Sequence, residues 1–195
     1  MDFRGITPKR RKNPTTVANY QDYRSELRED FQERCGYCND LDYFRMTYYE
    51  IDHFVPKHLL KTIKITDYSN LVYSCRSCNN TKRTKWPTGN EQIHNDGTVG
   101  FMDPCCDGYA EQFVRNDDGS IAPRTKLGQW MFKALNLSNP SHRIIWQLTA
   151  LRSKISELQS YLDTHPQDMA ICKRLCDFNA KYHYYEDSLR EIMNK

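Results

Sequence analysis

The sequence lacks any apolar run long enough to cross a membrane. No stretch of about 18 apolar residues occurs in the chain, whereas a transmembrane helix needs about 20. The first residues, Met1 to Ile6, also lack the apolar segment of a secretory signal peptide. No long internal repeat or low-complexity tract is present either. We therefore expect a cytoplasmic protein with no membrane partner, whose length suits one domain or a small module with an accessory region.

The charge of the chain is unevenly distributed. Residues 1–90 hold 16 Lys and Arg against 11 Asp and Glu, a balance of +5, whereas residues 91–195 hold 12 against 14, a balance of −2. Because Lys and Arg displace the counterions of phosphates, the basic half suits a polyanionic substrate. A solvated charged surface would explain the same balance.

Eight cysteines are present, and in a cytoplasmic chain they indicate metal ligands or free thiols instead of disulfides. Four of them form two Cys-x-x-Cys pairs, Cys35/Cys38 and Cys75/Cys78, with 36 residues between the pairs. Four thiolates fit a tetrahedral zinc ion that has no open position for chemistry. The sequence thus predicts a structural zinc site. The alternative is two coincidental pairs of reduced thiols.

Local patterns predict helix, strand, strand and helix around these cysteines. A helical apolar spacing covers Val17 to Arg34. The segment from Tyr43 to Val55 is rich in aromatic and β-branched residues, and Leu71 to Tyr73 is a second short strand. A helix should follow from Cys75 to about Lys85, where Trp86-Pro87 stops it.

The second half of the chain should be loops followed by helices. Residues 87–128 are rich in turn-forming residues, and a hairpin is expected across Asp118-Gly119. A short helix is expected from Trp130 to Leu137. Two longer apolar repeats in 140–195 predict an antiparallel helical hairpin. Its apolar faces could pack within the chain or form a homodimer or partner interface.

The stretch Glu50 to Lys82 carries the most specific motif. Asp52-His53 ends the first predicted strand, Asn70 precedes the second, and Asn79 follows Cys78 directly. This pattern resembles the core of the HNH (ββα-metal) nucleases, in a variant with Asn at the last position. The resemblance implies that Asp52 and Asn79 bind a catalytic Mg²⁺ or Mn²⁺, that His53 is the general base, and that Asn70 holds the loop that bears the histidine.

Hydrolysis of a phosphodiester needs a deprotonated water and a divalent cation that absorbs charge on the phosphate. A neutral histidine can take the proton near neutral pH, and carboxylate and amide oxygens suit a hard cation. Side chains alternate along a strand, so Asp52 and His53 should point to opposite sides unless the strand end twists. Glu50 shares the side of Asp52 and is a candidate neighbour of the metal ligands.

Nucleic-acid contacts are expected from basic residues around the second cysteine pair. The resemblance places Lys82 one helical turn after Asn79, facing the same site. The candidates for phosphate contact are Lys82, Arg76, Arg83 and Lys85. A solvated helix face is the alternative for all but Lys82.

The fold class predicted is α+β, a small ββα-metal core stapled by zinc with an N-terminal helix and a C-terminal helical hairpin. Its parts are a flexible basic arm, a nuclease core, a loop-rich accessory segment and the hairpin, at residues 1–16, 17–90, 91–139 and 140–195. The expected function is a DNA endonuclease, with an RNase that attacks tRNA or a non-catalytic zinc-knuckle binding protein as alternatives. More loosely, the chain resembles HNH nucleases of bacterial antiphage defence systems, which work with an ATPase partner.

Overall fold

A two-stranded antiparallel sheet and the helix after it form the centre of the first half of the protein. In the computed structural model, which describes residues 1–45 and 48–193, strand β1 is Tyr49–His53 and strand β2 is Leu71–Cys75. Tyr49 pairs with Cys75 at one end and His53 with Leu71 at the other. Helix α2, Arg76–Lys82, follows β2 without a linker. Strand, strand and helix are therefore adjacent, as predicted, in an α+β chain.

The start and end of α2 have local causes. The Cys75 sulfur accepts a hydrogen bond from the backbone N–H of Cys78, so a cysteine caps the helix. At the other end Arg83 has a φ of 46°, a left-handed backbone that stops helical hydrogen bonding. The helix is thus shorter than the predicted Cys75 to Lys85.

The first strand is also shorter than predicted. Of the segment Tyr43 to Val55, β1 covers only Tyr49–His53, and a short 3-10 helix occupies Asp42–Phe44. Residues 46 and 47 of that prediction lie outside the described residues. The second strand is longer than predicted, because pairing continues to Cys75.

The N-terminal helix is broken. A 3-10 helix at Tyr20–Tyr23 leads into α1, Arg24–Asp30. The predicted helix from Val17 to Arg34 ends early because Gln32 and Glu33 have φ values of 54° and 59°.

The basic N-terminal segment, predicted to be a flexible arm, makes specific contacts with the rest of the first half of the chain. Phe3 is buried, and Asp2 forms an isolated β-bridge with Val114. Arg10 donates to the Leu71 carbonyl at 2.7 Å and pairs with Asp103 at 2.9 Å. A run of charges in the sequence does not indicate such contacts, because the acceptors lie far away along the chain.

The accessory segment supplies a hairpin and a helix. Strands β3, Phe113–Arg115, and β4, Ile121–Pro123, pair antiparallel. Gly119 takes a φ of 88° in the connecting turn, which confirms the predicted hairpin. Helix α3, Lys126–Ala134, begins four residues before the predicted helix.

The chain divides into two compact units, Met1–Ser138 and Asn139–Lys195. The accessory segment thus shares one unit with the sheet and α2. The second unit consists of α4, Pro140–Thr164, and α5, Met169–Met193, which pack against each other as a helical hairpin. Among the described residues, no helix combines the length and apolarity that a membrane crossing requires.

Candidate active site

The four predicted zinc ligands lie together. The sulfur atoms of Cys35, Cys38, Cys75 and Cys78 all lie within 4.8 Å of one another, and all four residues are buried. Cys38 and Cys75 Sγ are 3.8 Å apart, close to the edge of a tetrahedron with Zn–S bonds of about 2.3 Å. Burial raises the pKa of the Cys38 thiol well above its ordinary value, so a cation is needed to hold four thiolates here. The cluster fits a zinc ion.

The first cysteine pair is held by close packing and by buried cations. A side chain at Gly36 would approach Phe31 and Val72 side-chain atoms to 2.7 Å, so the glycine is needed for space. Arg4 donates to the Gly36 carbonyl at 2.7 Å, and Arg115 donates to the Cys38 carbonyl at 2.9 Å. These arginines belong to the N-terminal segment and to β3, so both regions stabilise the cysteine cluster.

A cavity of about 620 Å³ opens at the side of β1 and the end of α2. Both Asp52 and His53 line it, together with Glu50 and Asn79. Strand alternation predicts opposite sides of β1 for Asp52 and His53, and both residues border this cavity at the end of the strand.

His53 is held in one orientation by a backbone carbonyl. Its Nε2 atom lies 2.8 Å from the Ile65 carbonyl oxygen. Because a carbonyl only accepts, Nε2 carries the proton and the neutral ring has an unprotonated Nδ1. The Tyr20 ring packs edge-on against the imidazole with centroids 4.6 Å apart. Burial lowers the His53 pKa from its ordinary value of 6.5, and the Ile65 hydrogen bond opposes this shift only in part. The lowered pKa favours the neutral ring near neutral pH.

Asp52 uses one oxygen for internal contacts. The Tyr37 hydroxyl donates to Asp52 Oδ2 at 2.6 Å, and Lys82 Nζ lies 2.9 Å from the same atom. Within the described residues, Oδ1 accepts no hydrogen bond. Burial raises the pKa of Asp52, and the Lys82 charge opposes that rise. One carboxylate oxygen at the cavity wall is thus available to a ligand.

The two asparagines have different surroundings. Asn70 is buried, and its side chain bonds both backbone groups of Val55, at 2.8 Å to the N–H and 3.1 Å to the carbonyl. Asn79 donates through Nδ2 to Glu50 Oε2 at 2.6 Å. Its amide oxygen accepts no hydrogen bond from the described residues. Carboxylate and amide oxygens of this kind suit a hard divalent cation, so the donor types of Asp52 and Asn79 agree with the ligand role expected of them.

Glu50 is engaged with its neighbours. One oxygen accepts from Asn79, and the other pairs with Arg76 Nε at 2.9 Å. The carboxylate therefore orients the Asn79 amide, and both of its oxygens already accept hydrogen bonds from neighbouring side chains.

The predicted phosphate-contacting residues differ in exposure. Lys82 is completely buried, and its ammonium also donates to the His53 carbonyl at 2.9 Å. A phosphate contact by Lys82 would require this internal arrangement to open. Lys85 donates to the Ala134 carbonyl at 3.1 Å. Arg76 is half exposed, and Arg83 lines the cavity.

Several lining residues were missed by sequence reasoning. Tyr20, Gln21 and Arg24 reach the cavity from the N-terminal helices, and Lys57 and His58 reach it from the loop after β1. Lys57 Nζ donates to the Tyr20 hydroxyl at 2.9 Å, and this hydrogen bond lowers the pKa of Tyr20. No spacing rule could have found them, because tertiary packing alone brings Tyr20 to His53.

Comparison with known proteins gave a match to one protein family over part of the chain. No curated protein and no solved structure matches the chain. One family model does match, over the segment that holds the cysteine cluster, β1, β2 and α2: residues 35–85 match the HNH endonuclease family.

Proposed function

We propose that this protein is a metal-dependent DNA endonuclease in which His53 is the general base. The HNH match supports a hydrolase of the nuclease type with a nucleic-acid substrate. The observation that carries the proposal is the hydrogen bond from His53 Nε2 to the Ile65 carbonyl, 2.8 Å long. It fixes the tautomer with a free Nδ1 on a ring that lines the cavity.

The proposed roles divide among the neighbours of His53. Asp52 Oδ1 and the amide oxygen of Asn79 would hold Mg²⁺ or Mn²⁺, and Glu50 would orient that amide through its 2.6 Å bond. Asn70 would keep the chain after His53 in place through Val55. The bound cation supplies stabilisation of charge on the phosphate and the leaving oxygen. His53 would take the proton from the attacking water at Nδ1.

A cationic wall supports a polyanionic substrate. Arg24, Lys57 and Arg83 line the same cavity as His53. Such cations lower the cost of bringing phosphates to a site that already holds two carboxylates. We place Lys57 and Arg24 beside Arg83 and Arg76 as phosphate-contacting residues, and we assign Lys82 to the support of Asp52.

An RNase of the same mechanism is the alternative, because this chemistry does not need the 2′-hydroxyl. A non-catalytic zinc-knuckle protein would need neither the oriented His53 nor the paired Asn79. An antiphage role and an ATPase partner stay predictions from the looser resemblance, and self-association through residues 140–195 stays a prediction from their apolar repeats.

The test is cleavage of supercoiled plasmid and of total tRNA with Mg²⁺, Mn²⁺ or EDTA. We expect metal-dependent cutting of plasmid that falls by about 10²- to 10⁴-fold in His53→Ala. His183→Ala removes a histidine with a 70% exposed side chain in α5 and should cut like the wild type. Preferred cutting of tRNA would select the RNase, and equal cutting by the wild type and His53→Ala would refute the role of His53.

A further inference from the structure

One carboxylate outside the matched family segment holds the loop that orients His53. Glu91 is buried, and its oxygens accept hydrogen bonds from the backbone N–H groups of Lys61, Thr62 and Ile63. The distances are 2.9, 3.1 and 2.9 Å, and the Thr62 N–H also lies 3.2 Å from the second carboxylate oxygen. The Thr62 hydroxyl donates to Glu91 as well, at 2.8 Å. Three consecutive amides therefore converge on one side chain.

The segment held by Glu91 has no regular structure of its own. Residues 60–67 connect two short 3-10 helices, Lys57–Leu59 and Tyr68–Asn70. Ile63 packs partly against the core, whereas the Ile65 side chain is 48% exposed. Side-chain burial therefore does little to fix the Ile65 peptide, and the path of the backbone depends on hydrogen bonds. These are the bonds of Glu91 to the amides before Ile65 and the bond from the Asp67 N–H to the Lys64 carbonyl, 2.9 Å long, which closes a turn around it.

The Ile65 carbonyl is the acceptor that selects the His53 tautomer. Only Lys64 separates it from Ile63, whose amide is the last one held by Glu91. If the loop shifts, this acceptor moves away from Nε2, and the ring is free to carry its proton on Nδ1. A proton on Nδ1 occupies the atom that a general base needs.

We propose that Glu91 is a positioning residue for His53, acting through the backbone of residues 61–65. This rests on the proposed role of His53 as general base. The Ile63 N–H and the other donors lower the pKa of Glu91 to about 2, so the acceptor is ionised at any working pH. Glu91 lies outside residues 35–85, so the match to the family does not include it.

The first readout is the imidazole nitrogen spectrum of His53 in the full-length, zinc-loaded protein without nucleic acid. At a pH where the ring is neutral, the wild type should show protonated Nε2 and unprotonated Nδ1. Glu91→Ala should shift the two nitrogen signals toward the averaged values of a tautomer mixture. Glu91→Gln keeps the size and one acceptor oxygen, and it should give an intermediate shift.

The second readout is plasmid cleavage. Glu91→Ala should lower kcat by about 10- to 100-fold with KM changed by less than about threefold, because a positioning defect acts on the reacting atoms. Asp96→Ala is the matched control, since Asp96 accepts the Thr98 and Val99 amides at 2.8 Å each and its pKa is also lowered to about 2. It holds a separate turn and should change neither readout.

These experiments distinguish failure of the role proposed for Glu91 from failure of the proposed nuclease function. Glu91→Ala with an unchanged His53 spectrum overturns the proposal, as does a spectral change of the same size in Asp96→Ala. If Glu91→Ala loses its zinc or unfolds, Glu91→Gln decides by the same spectrum. A wild type that cuts no nucleic acid would refute the proposed function, and the spectra would still decide whether Glu91 orients His53.

Discussion

Lys82 Nζ lies 2.9 Å from Asp52 Oδ2, with the lysine side chain fully buried. The same ammonium donates to the His53 carbonyl, so one cation contacts two consecutive residues at the end of β1. A buried carboxylate is costly without such a partner. The contact explains how Asp52 remains in the core with an oxygen free at the cavity.

Removal of this cation should destabilise the fold. Lys82→Met leaves Asp52 buried and unpaired, and we expect it to lower the free energy of unfolding by about 3 to 5 kcal/mol. Urea unfolding measures the change. Adding Asp52→Asn to Lys82→Met should recover part of the lost free energy of unfolding. The control is Lys133→Met, at an exposed position of α3, whose free energy of unfolding should lie within about 0.5 kcal/mol of that of the wild type. Equal losses in the single and double variants would contradict the pairing.

The pH profile of cleavage should reflect His53. Burial lowers its pKa below 6.5, and the base works only when neutral. Cleavage should therefore be lost as the pH falls through the His53 pKa, with a midpoint below 6.5. Single-turnover cleavage rates measured across pH give the midpoint of this decrease. A midpoint above 6.5 would show that burial does not determine the His53 pKa.

Zinc should stabilise the first unit. Removing the ion costs folding free energy on the order of 10 kcal/mol, so a strong chelator should unfold residues 1–138. Metal analysis should find one zinc per chain in the wild type and none in Cys38→Ser. Cys105→Ser changes a half-buried thiol outside the cluster, and this variant should retain the zinc ion. Loss of zinc from Cys105→Ser would contradict a site made of the four clustered cysteines.

Lys57 should contribute to substrate binding more than to chemistry. Its ammonium lies 2.9 Å from the Tyr20 hydroxyl at the cavity. In a His53→Ala background, which prevents cleavage, Lys57→Ala should reduce the slope of log K against log salt by about 1. Lys126→Ala, at the exposed start of α3, is the control and should leave the slope unchanged. An unaltered slope in Lys57→Ala would show that Lys57 does not contact phosphate.

The helices and strands around the site could be predicted from the sequence because they depend on residues that are close together along the chain. The paired cysteines predicted the cysteine cluster, aromatic and β-branched residues predicted the two strands before α2, and the turn residues Asp118-Gly119 predicted the β3–β4 hairpin. Errors occurred where neighbours in space decided the outcome. Lys82 was expected to face the site and contact phosphate, yet it is fully buried and pairs with Asp52. The N-terminal charges read as a solvated tail, yet Arg4 and Arg10 find buried carbonyls.

The sequence by itself determined which residues can ligate a zinc ion and which strand carries Asp52 and His53, since both depend on short spacings. Only the tertiary structure decided which nitrogen of His53 bears the proton, because the Ile65 carbonyl that selects it lies 12 residues away and is reached through space. The same holds for Tyr20 and Glu91. Each lies outside residues 35–85, and only packing of distant segments brings Tyr20 to the ring and Glu91 to the loop that holds it.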